Sequence, residues 1–293
     1  MPDNSKAQQT LGLIRDIDPE AIRLAFRFIE LFNKPDSSVK ELEEFVRSND
    51  VLSLRVLKMV NTFATANAQH ITTIDLAVGL VGYKGLREAV LSASSISILT
   101  GERGAIDTIS FWTHAAACAC IARALAIHCH HPHPEHGYMA GLLHDLGRRL
   151  LDVYASEGDE YQAVLDAMSS EEARALEKTL YGVDHCEIAE YAFKQWGVEP
   201  FLADAVGRHH MRAEEIKHSA ITDRAVLTYA IIAIALAFHL LEDEEGGPLD
   251  QELLVLVGVS EAELPAILVR AREYFGSVRV NLESLRPQGA AGR

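Results

Sequence analysis

The sequence predicts an all-α fold in which an N-terminal helical lobe precedes a larger multi-helix lobe. Apolar residues recur with helical spacing along most of the 293 residues, and signals that start helices separate these segments. Alternation typical of a strand is confined to Val278, Val280 and Leu282, a run too short to carry a sheet. We therefore expect helices throughout.

The first predicted lobe covers residues 11–100. Asp18 as N-cap and Pro19 at the first helical position start a helix that runs to about Phe32. Ser38 and Glu41 have the spacing of a capping box, which predicts the start of a second helix. Further helices are predicted at residues 51–66, from Thr72 or Thr73 to about Gly82, and at 85–98; the first places Leu52, Val56, Met59, Val60 and Phe63 on one face.

The second predicted lobe covers residues 105–243, and the two lobes form one domain over 11–243. Its helices are predicted at residues 106–128, 138–154, 170–181, 184–196 and 200–209. A second capping box at Ser260 and Glu263 predicts a small helical appendage over 247–286, and residues 287–293 are predicted to be a disordered tail.

Composition excludes some classes of partner. Twenty-seven Lys and Arg against 42 Asp and Glu give a formal charge of −15, so the chain has no diffuse positive field for a phosphate backbone, and we expect no nucleic-acid partner. The N-terminus lacks a secretory pattern, and the most apolar stretch, residues 225–241, predicts a buried helix and no membrane span. No C-x-x-C pair occurs, so we expect reduced thiols and a cytoplasmic location; the cysteines are Cys118, Cys120, Cys129 and Cys186.

Histidines occur in two patterns. Five of the nine residues from His128 to His136 are histidine, interrupted by two prolines; we interpret this segment as an exposed, non-functional connection that can collect transition metals adventitiously. The other pattern is dispersed over separate helices and forms a candidate metal site for iron, manganese or zinc, because imidazole and carboxylate ligands must converge from different segments. Its members are His114, His144, Asp145, His185, His209 and His210.

Alternatives to the metal site remain open at this stage. His114 and His185 are equally consistent with buried rings that donate to a carbonyl, and His209 with His210 suits the C-terminus of a helix. Arg148 and Arg149 either hold a phosphate group or are solvated.

The run Gly-Leu-Leu-His144-Asp145-Leu-Gly-Arg-Arg-Leu-Leu resembles the central signature of HDOD domains, output domains related to the HD phosphohydrolases. Further segments match in order, and the likeness covers about Leu11 to Leu241; these segments are residues 50–61, 71–82, 111–114, 182–189, 196–200 and 209–210.

The resemblance implies a compact helical domain whose HD relatives bind metal through a first His, the His-Asp pair and a final Asp, with extra histidines in the cyclic-dinucleotide phosphodiesterase branch. His114 matches the first His, and His144 with Asp145 match the pair. The extra set is matched by His185, His209 and His210. The final Asp has no match, because the helix at 227–237 contains no acid, Asp223 comes too early and Asp243 comes too late.

The function that follows is a bacterial signal-transduction output module, non-catalytic or weakly metal-binding. It is expected to recognise a protein partner or a small phosphorylated ligand through the cleft between the lobes; the oligomeric state and any catalytic residue stay unassigned. One alternative is a metal-dependent phosphohydrolase or cyclic-dinucleotide phosphodiesterase with water as nucleophile. The other is a metal-free helical scaffold for protein interaction, favoured if each histidine is individually hydrogen-bonded in the core.

Overall fold

A computed structural model of the chain describes residues 4–15, 38–48, 52–54, 56–57, 61, 71–80, 82, 104–157, 160–167, 169–241 and 249–283. The chain divides into two compact units, one formed by Asp18–Glu102 and the other by Met1–Ile17 together with Arg103–Arg293. Every regular element in the described ranges is helical, as the sequence predicts.

The helices are numbered in chain order. They are α1 (Asn4–Arg15), α2 (Val39–Arg47), α3 (Thr108–His128), α4 (Pro134–Leu143), α5 (Leu146–Leu150), α6 (Gln162–Leu165), α7 (Ser170–Tyr181), α8 (His185–Gln195), α9 (Pro200–Arg208), α10 (Ala213–His218), α11 (Arg224–Leu236), α12 (Phe238–Leu241), α13 (Gln251–Val257) and α14 (Leu264–Glu283). A π-helical turn, Leu151–Ala155, continues α5, and a 3₁₀ turn, Glu261–Glu263, precedes α14.

Helix α1 has no counterpart among the predicted elements, and it packs with the later helices. The Thr10 hydroxyl donates to the Tyr181 carbonyl at 2.8 Å, and Lys6 Nζ donates to the Thr179 carbonyl at 3.1 Å. Gly182, which ends α7 with a φ of 77°, allows this approach, because a Cβ there would lie 2.5 Å from the Ala7 nitrogen. Residues 11–17, which the sequence analysis assigns to the first lobe, lie in the compact unit that contains the later helices.

In the unit of residues 18–102, the capping box is confirmed: Glu41 N donates to Ser38 Oγ at 3.2 Å, and Ser38 N donates to Glu41 Oε2 at 2.8 Å. Asn61 donates to the carbonyls of Leu57 and Ile71, both at 2.8 Å, and accepts from Ile71 N, so it joins two helical segments. Residues 74–80 are helical, as predicted. The predicted helices at 19–32 and 85–98, and the predicted core residues Met59, Val60 and Phe63, lie outside the described residues.

Helix α3 forms the centre of the other unit and packs against α4, α11 and α14. It is long and apolar enough to cross a membrane by length and composition, but 67% of its most apolar window is buried, as in a core helix. Small residues let α4 approach closely: a Cβ at Gly141 would lie 2.7 Å from the Cys118 carbonyl, and one at Gly137 would lie 2.9 Å from the Ala122 carbonyl.

Two predicted elements are corrected. The helix predicted over 138–154 is interrupted at His144 and Asp145, which separate α4 from α5. The alternating trio near residue 280 lies within α14 and is helical.

The second capping box is confirmed, since Ser260 N donates to Glu263 Oε2 at 2.7 Å. Helices α13 and α14 pack against α11 and α3, so the predicted appendage is part of the same compact unit.

A buried ion pair holds in place the residues that lead into α3. Arg149 Nη1 lies 3.0 Å from Asp152 Oδ2, and both side chains are buried. Asp152 also accepts from the backbone nitrogens of Ala105 and Ile106 at 2.7 and 3.2 Å, while Arg149 Nη2 donates to the Thr108 hydroxyl. Arg149 is buried and committed to these contacts, so it matches neither alternative that the sequence left open, a solvated side chain or a phosphate ligand.

Candidate metal centre

The break between α4 and α5 positions the His-Asp pair. His144 follows the last turn of α4, and Asp145 leaves helical geometry with φ −98° and ψ 10° before α5 begins. Their side chains therefore project from a junction instead of from the side of one continuous helix. Gly147, in the first turn of α5, allows α5 to approach α8, because a Cβ there would overlap the His185 carbonyl.

Caps at two further helix ends position the downstream histidines. His185 is the first residue of α8, and its N-cap Asp184 accepts from Glu187 N at 2.9 Å. Asp184 is itself fully buried and is held by two hydrogen bonds from Arg174. His209 follows the end of α9, with His210 directly after it. Three separate helix ends thus supply His144, His185 and His209, while His114 lies within α3.

One ring nitrogen of each central histidine is occupied by a hydrogen bond. His144 Nδ1 donates to the Gly141 carbonyl and His209 Nδ1 to the Val206 carbonyl, both at 2.8 Å. His185 Nδ1 donates to a carboxylate of Glu177 at 2.7 Å. Carbonyl and carboxylate oxygens only accept, so each ring carries a proton on Nδ1, and its neutral form keeps a lone pair on Nε2.

These three lone pairs face one carboxylate. His144 Nε2 lies 3.4 Å from Asp145 Oδ2, while His209 Nε2 and His185 Nε2 lie 3.5 and 3.7 Å from Asp145 Oδ1. Asp145 Oδ1 and His209 Nε2 are buried and have no hydrogen-bond partner among the described residues. Leaving such groups unsatisfied costs about 1–3 kcal/mol each. A divalent cation would satisfy both, so the residues present fit a metal ion.

The two remaining candidates flank this group. His210 Nε2 lies 3.0 Å from His185 Nε2. The His114 ring centroid lies 5.4 Å from that of His144, and His114 Nε2 is 3.5 Å from Cys118 Sγ, so a buried thiol lies beside the site. The structure thus brings His144, Asp145, His185, His209 and His210 together and joins His114 to them through His144.

The electrostatics of the site favour an ionised Asp145 and neutral His209 and His210 rings, which are the forms that bind a metal ion. Burial raises the pKa of Asp145, but the positive charge of Arg148 and the contact with His144 outweigh burial and hold that pKa well below its usual range. Arg148 Nε lies 3.2 Å from Asp145 Oδ1. Burial lowers the pKa of His209 to about 4, and burial together with the neighbouring His209 lowers the pKa of His210 as well. At neutral pH the site therefore holds an ionised Asp145 beside neutral His209 and His210 rings.

The histidine-rich segment 128–136 lies elsewhere and is organised differently. His131 Nδ1 lies 3.2 Å from the His133 nitrogen and 3.1 Å from the His133 carbonyl oxygen, and its Nε2 lies 3.2 Å from Asp223 Oδ2. Asp223 also caps α11, accepting from Val226 N. The His136 ring stacks on Phe201 with centroids 4.0 Å apart. Asp223, which the sequence placed too early to complete the metal site, is committed to this segment.

Two buried residues of the site are missed by the sequence reasoning. Glu177 accepts from His185, and the Tyr161 hydroxyl donates to Glu177 Oε1 at 2.7 Å. A signal for Glu177 exists, because Ala173, Glu177 and Tyr181 follow one another at four-residue spacing, and all three are buried on one face of α7. An acid within an apolar helical stripe indicates a buried partner.

Comparison with known proteins identifies relatives. A family model described as HDOD domain matches residues 19–212. None of the curated proteins compared matches the chain.

Solved structures similar to this chain share its fold. An HDOD domain protein of unknown function from Geobacter sulfurreducens is 22% identical with a TM-score of 0.54, and a provisionally named phosphohydrolase from Shewanella amazonensis SB2B is 20% identical with a TM-score of 0.53; each comparison covers 94% of this chain and 98% of the other. A provisionally named signal transduction protein from Marinobacter aquaeolei VT8 is 21% identical with a TM-score of 0.50, over 89% of this chain and 59% of that one.

Proposed function

The chain belongs to the HDOD domain family, and we propose that it is a signal-transduction module whose buried histidine centre holds a divalent metal ion in a structural or regulatory role. The signalling role is supported by the family and by the name of the Marinobacter relative. The metal is supported chiefly by two buried atoms that have no hydrogen-bond partner among the described residues, Asp145 Oδ1 and His209 Nε2, which lie 3.5 Å apart.

The ligands would be the Nε2 atoms of His144, His185 and His209 and the carboxylate of Asp145, with His210 and His114 at the edges. Nitrogen and oxygen donors of this kind suit iron, manganese or zinc. A bound ion would neutralise Asp145 and join the α4–α5 junction to the end of α9 and the start of α8. The proposed metal therefore links three helix ends that side-chain contacts alone hold less firmly.

A hydrolytic role has weaker support. Asp145 is the one carboxylate that faces the Nε2 side of the histidines in the described part of the chain, and α11 carries no acid. Arg148 further offsets the charge of Asp145 from 3.2 Å away. Activation of a water molecule for attack on phosphorus needs an ion held with geometry and charge set by its ligands, and this site provides a single anionic ligand.

The second candidate is a metal-dependent phosphohydrolase or cyclic-dinucleotide phosphodiesterase. It is favoured by the pair His185 and His210, whose Nε2 atoms lie 3.0 Å apart and would offer donors beyond those that one structural ion needs. Arg148, whose side chain is 21% exposed, could contact a phosphate group at the same place. The name of the Shewanella relative points in the same direction.

The test is the metal content of protein purified without a histidine tag. We expect about one equivalent or more of iron, manganese or zinc in the wild type and in the control His218→Ala, which removes an exposed histidine. The double variant His144→Ala with Asp145→Ala should contain none. No metal in the wild type would favour the metal-free scaffold, and equal metal in the double variant would place the bound metal outside this centre. Turnover of phosphate esters or cyclic dinucleotides by the loaded protein would support the second candidate.

A further inference from the structure

We propose that Glu177 is a positioning residue of this centre, which orients His185 and supplies the negative charge that α11 lacks. The inference rests on the proposed metal centre and names a residue behind it that does not touch the ion.

The hydrogen bonds of the Glu177 carboxylate all come from donor groups of Tyr161 and His185. Its side chain is fully buried. Oε1 accepts from the Tyr161 hydroxyl at 2.7 Å, and Oε2 accepts from both His185 N at 2.9 Å and His185 Nδ1 at 2.7 Å. Tyr161 and His185 are also buried completely. Three hydrogen bonds therefore hold the carboxylate in one orientation, and the two bonds to His185 fix both the backbone and the ring of that residue.

The orientation of His185 determines what its other nitrogen can reach. With the proton on Nδ1 pointing at Glu177, Nε2 faces Asp145 Oδ1 at 3.7 Å and His210 Nε2 at 3.0 Å. A carboxylate behind a histidine ligand fixes the tautomer and raises the basicity of the ligating nitrogen. Glu177 also satisfies the backbone N–H at the first position of α8, where a negative charge is favoured by the helix dipole.

The charge of Glu177 is balanced only in part by the protein, because Arg148 interacts with it electrostatically from beyond ion-pair distance. In the described ranges its one ion-pair contact is with His185, and no lysine or arginine nitrogen lies within 4.0 Å. A buried carboxylate is costly unless a positive charge compensates it. A divalent ion on the far side of the His185 ring would provide that charge. Together with Asp145, Glu177 would give the centre two negative charges, one in contact with the ion and one transmitted through the imidazole.

A purely structural role is the alternative, in which Glu177 only fastens α7 to α8. The change Glu177→Gln separates the two roles. The amide oxygen of a glutamine can accept both bonds from His185, and its NH₂ group can donate to the Tyr161 oxygen, since a hydroxyl also accepts. The shape and all three hydrogen bonds can therefore persist, and the negative charge is lost.

The experiment measures Co²⁺ and Zn²⁺ affinity by competition with a chromogenic chelator, the visible absorption of the Co²⁺ form, and thermal unfolding of the metal-free protein. We expect Glu177→Gln to weaken affinity about 10- to 100-fold and to change the Co²⁺ spectrum, while Tm without metal changes little. Two controls should match the wild type: Glu171→Gln, an exposed acid on the same helix, and Tyr138→Phe, which removes a buried hydroxyl without a hydrogen-bond partner among the described residues.

The outcomes separate this inference from the metal centre itself. A wild type that binds neither ion overturns both. A wild type that binds, with unchanged affinity and spectrum in Glu177→Gln, overturns the role of Glu177 alone. If Glu177→Gln does not fold, ¹⁵N NMR of the wild-type histidine rings decides: a His185 proton on Nδ1 in the zinc-loaded protein supports the inference, and one on Nε2 overturns it.

Discussion

The two groups of histidines in this chain differ in a way that reverses their appearance in the sequence. The segment 128–136 is dense in histidine, yet both nitrogens of His131 are engaged and the His136 ring stacks on an aromatic side chain. The other histidines are scattered from residue 114 to residue 210, yet three of them direct an Nε2 lone pair at Asp145. A metal centre depends on which nitrogen atoms remain available in space, and the local density of histidine along the chain does not report this.

The largest effect on stability is expected at the close contact between the backbones of α5 and α8, beside the metal centre. Gly147→Ala would place a Cβ against the His185 carbonyl, and two backbones must separate to admit it. We expect a loss of about 3 kcal/mol in the free energy of unfolding, measured by urea denaturation of the metal-free protein. The control is Gly12→Ala, where no atom lies within 4 Å of the added carbon. Equal stability of the two variants would contradict the close packing of α5 on α8.

The next change compares two aspartates that pair with histidines, one in each group. Asp145→Asn should lower metal affinity at least about 100-fold, or about 2.7 kcal/mol, because it removes the one anionic ligand. Asp223→Asn should leave metal affinity unchanged, and asparagine also serves as an N-cap for α11. The measurement is competition with a chelator. Loss of metal in Asp223→Asn alone would move the functional site to the 128–136 segment.

A third change concerns the cation beside Asp145. Removing the charge of Arg148 should strengthen metal binding, because the guanidinium lies 3.2 Å from the carboxylate and repels a bound ion. For Arg148→Gln we expect affinity about tenfold higher, or about 1.4 kcal/mol. Arg47→Gln, which breaks an arginine–aspartate contact in the unit of residues 18–102, is the control. Weaker binding in Arg148→Gln would show that the arginine organises the carboxylate for the ion.

The smallest effect is expected in the histidine-rich segment. The triple change of His131, His133 and His136 to Ala should leave the tightly bound metal at the wild-type stoichiometry. It should lower stability by about 1 kcal/mol or less, since these side chains are partly exposed. Elemental analysis and thermal unfolding test both statements together. A lower metal content would mean that this segment binds metal more than adventitiously.

Local signals account for what the sequence predicts well. Capping boxes involve residues three apart, so Ser38 with Glu41 and Ser260 with Glu263 are readable without tertiary structure. The break at His144 is not readable in this way, because Gly147 must meet α8, a contact between distant segments. Helix α1 was missed for the same reason: its sequence is polar, and its buried residues, such as Ile14, acquire meaning only against later helices.

The candidate site also combines features that the sequence predicts with features that depend on contacts between helices. The dispersed histidines and Asp145 could be singled out by their chemistry and by the family resemblance, but the protonated nitrogen of each ring depends on its acceptor. For His144 and His209 that acceptor is a carbonyl three residues earlier, which a helix end supplies locally. For His185 it is Glu177, which comes from a different helix. The contribution of Arg148 and Cys118 likewise depends on distances between helices.

The packing of α1 also bears on how the chain is made. Thr10 bonds to Tyr181, a partner 171 positions later, and the whole unit of residues 18–102 is synthesised between them. At typical rates of translation the first helix waits about 10–30 s for α7 to leave the ribosome. The intervening unit is complete well before then, so we expect it to fold first during synthesis, with α1 docking as one of the last steps.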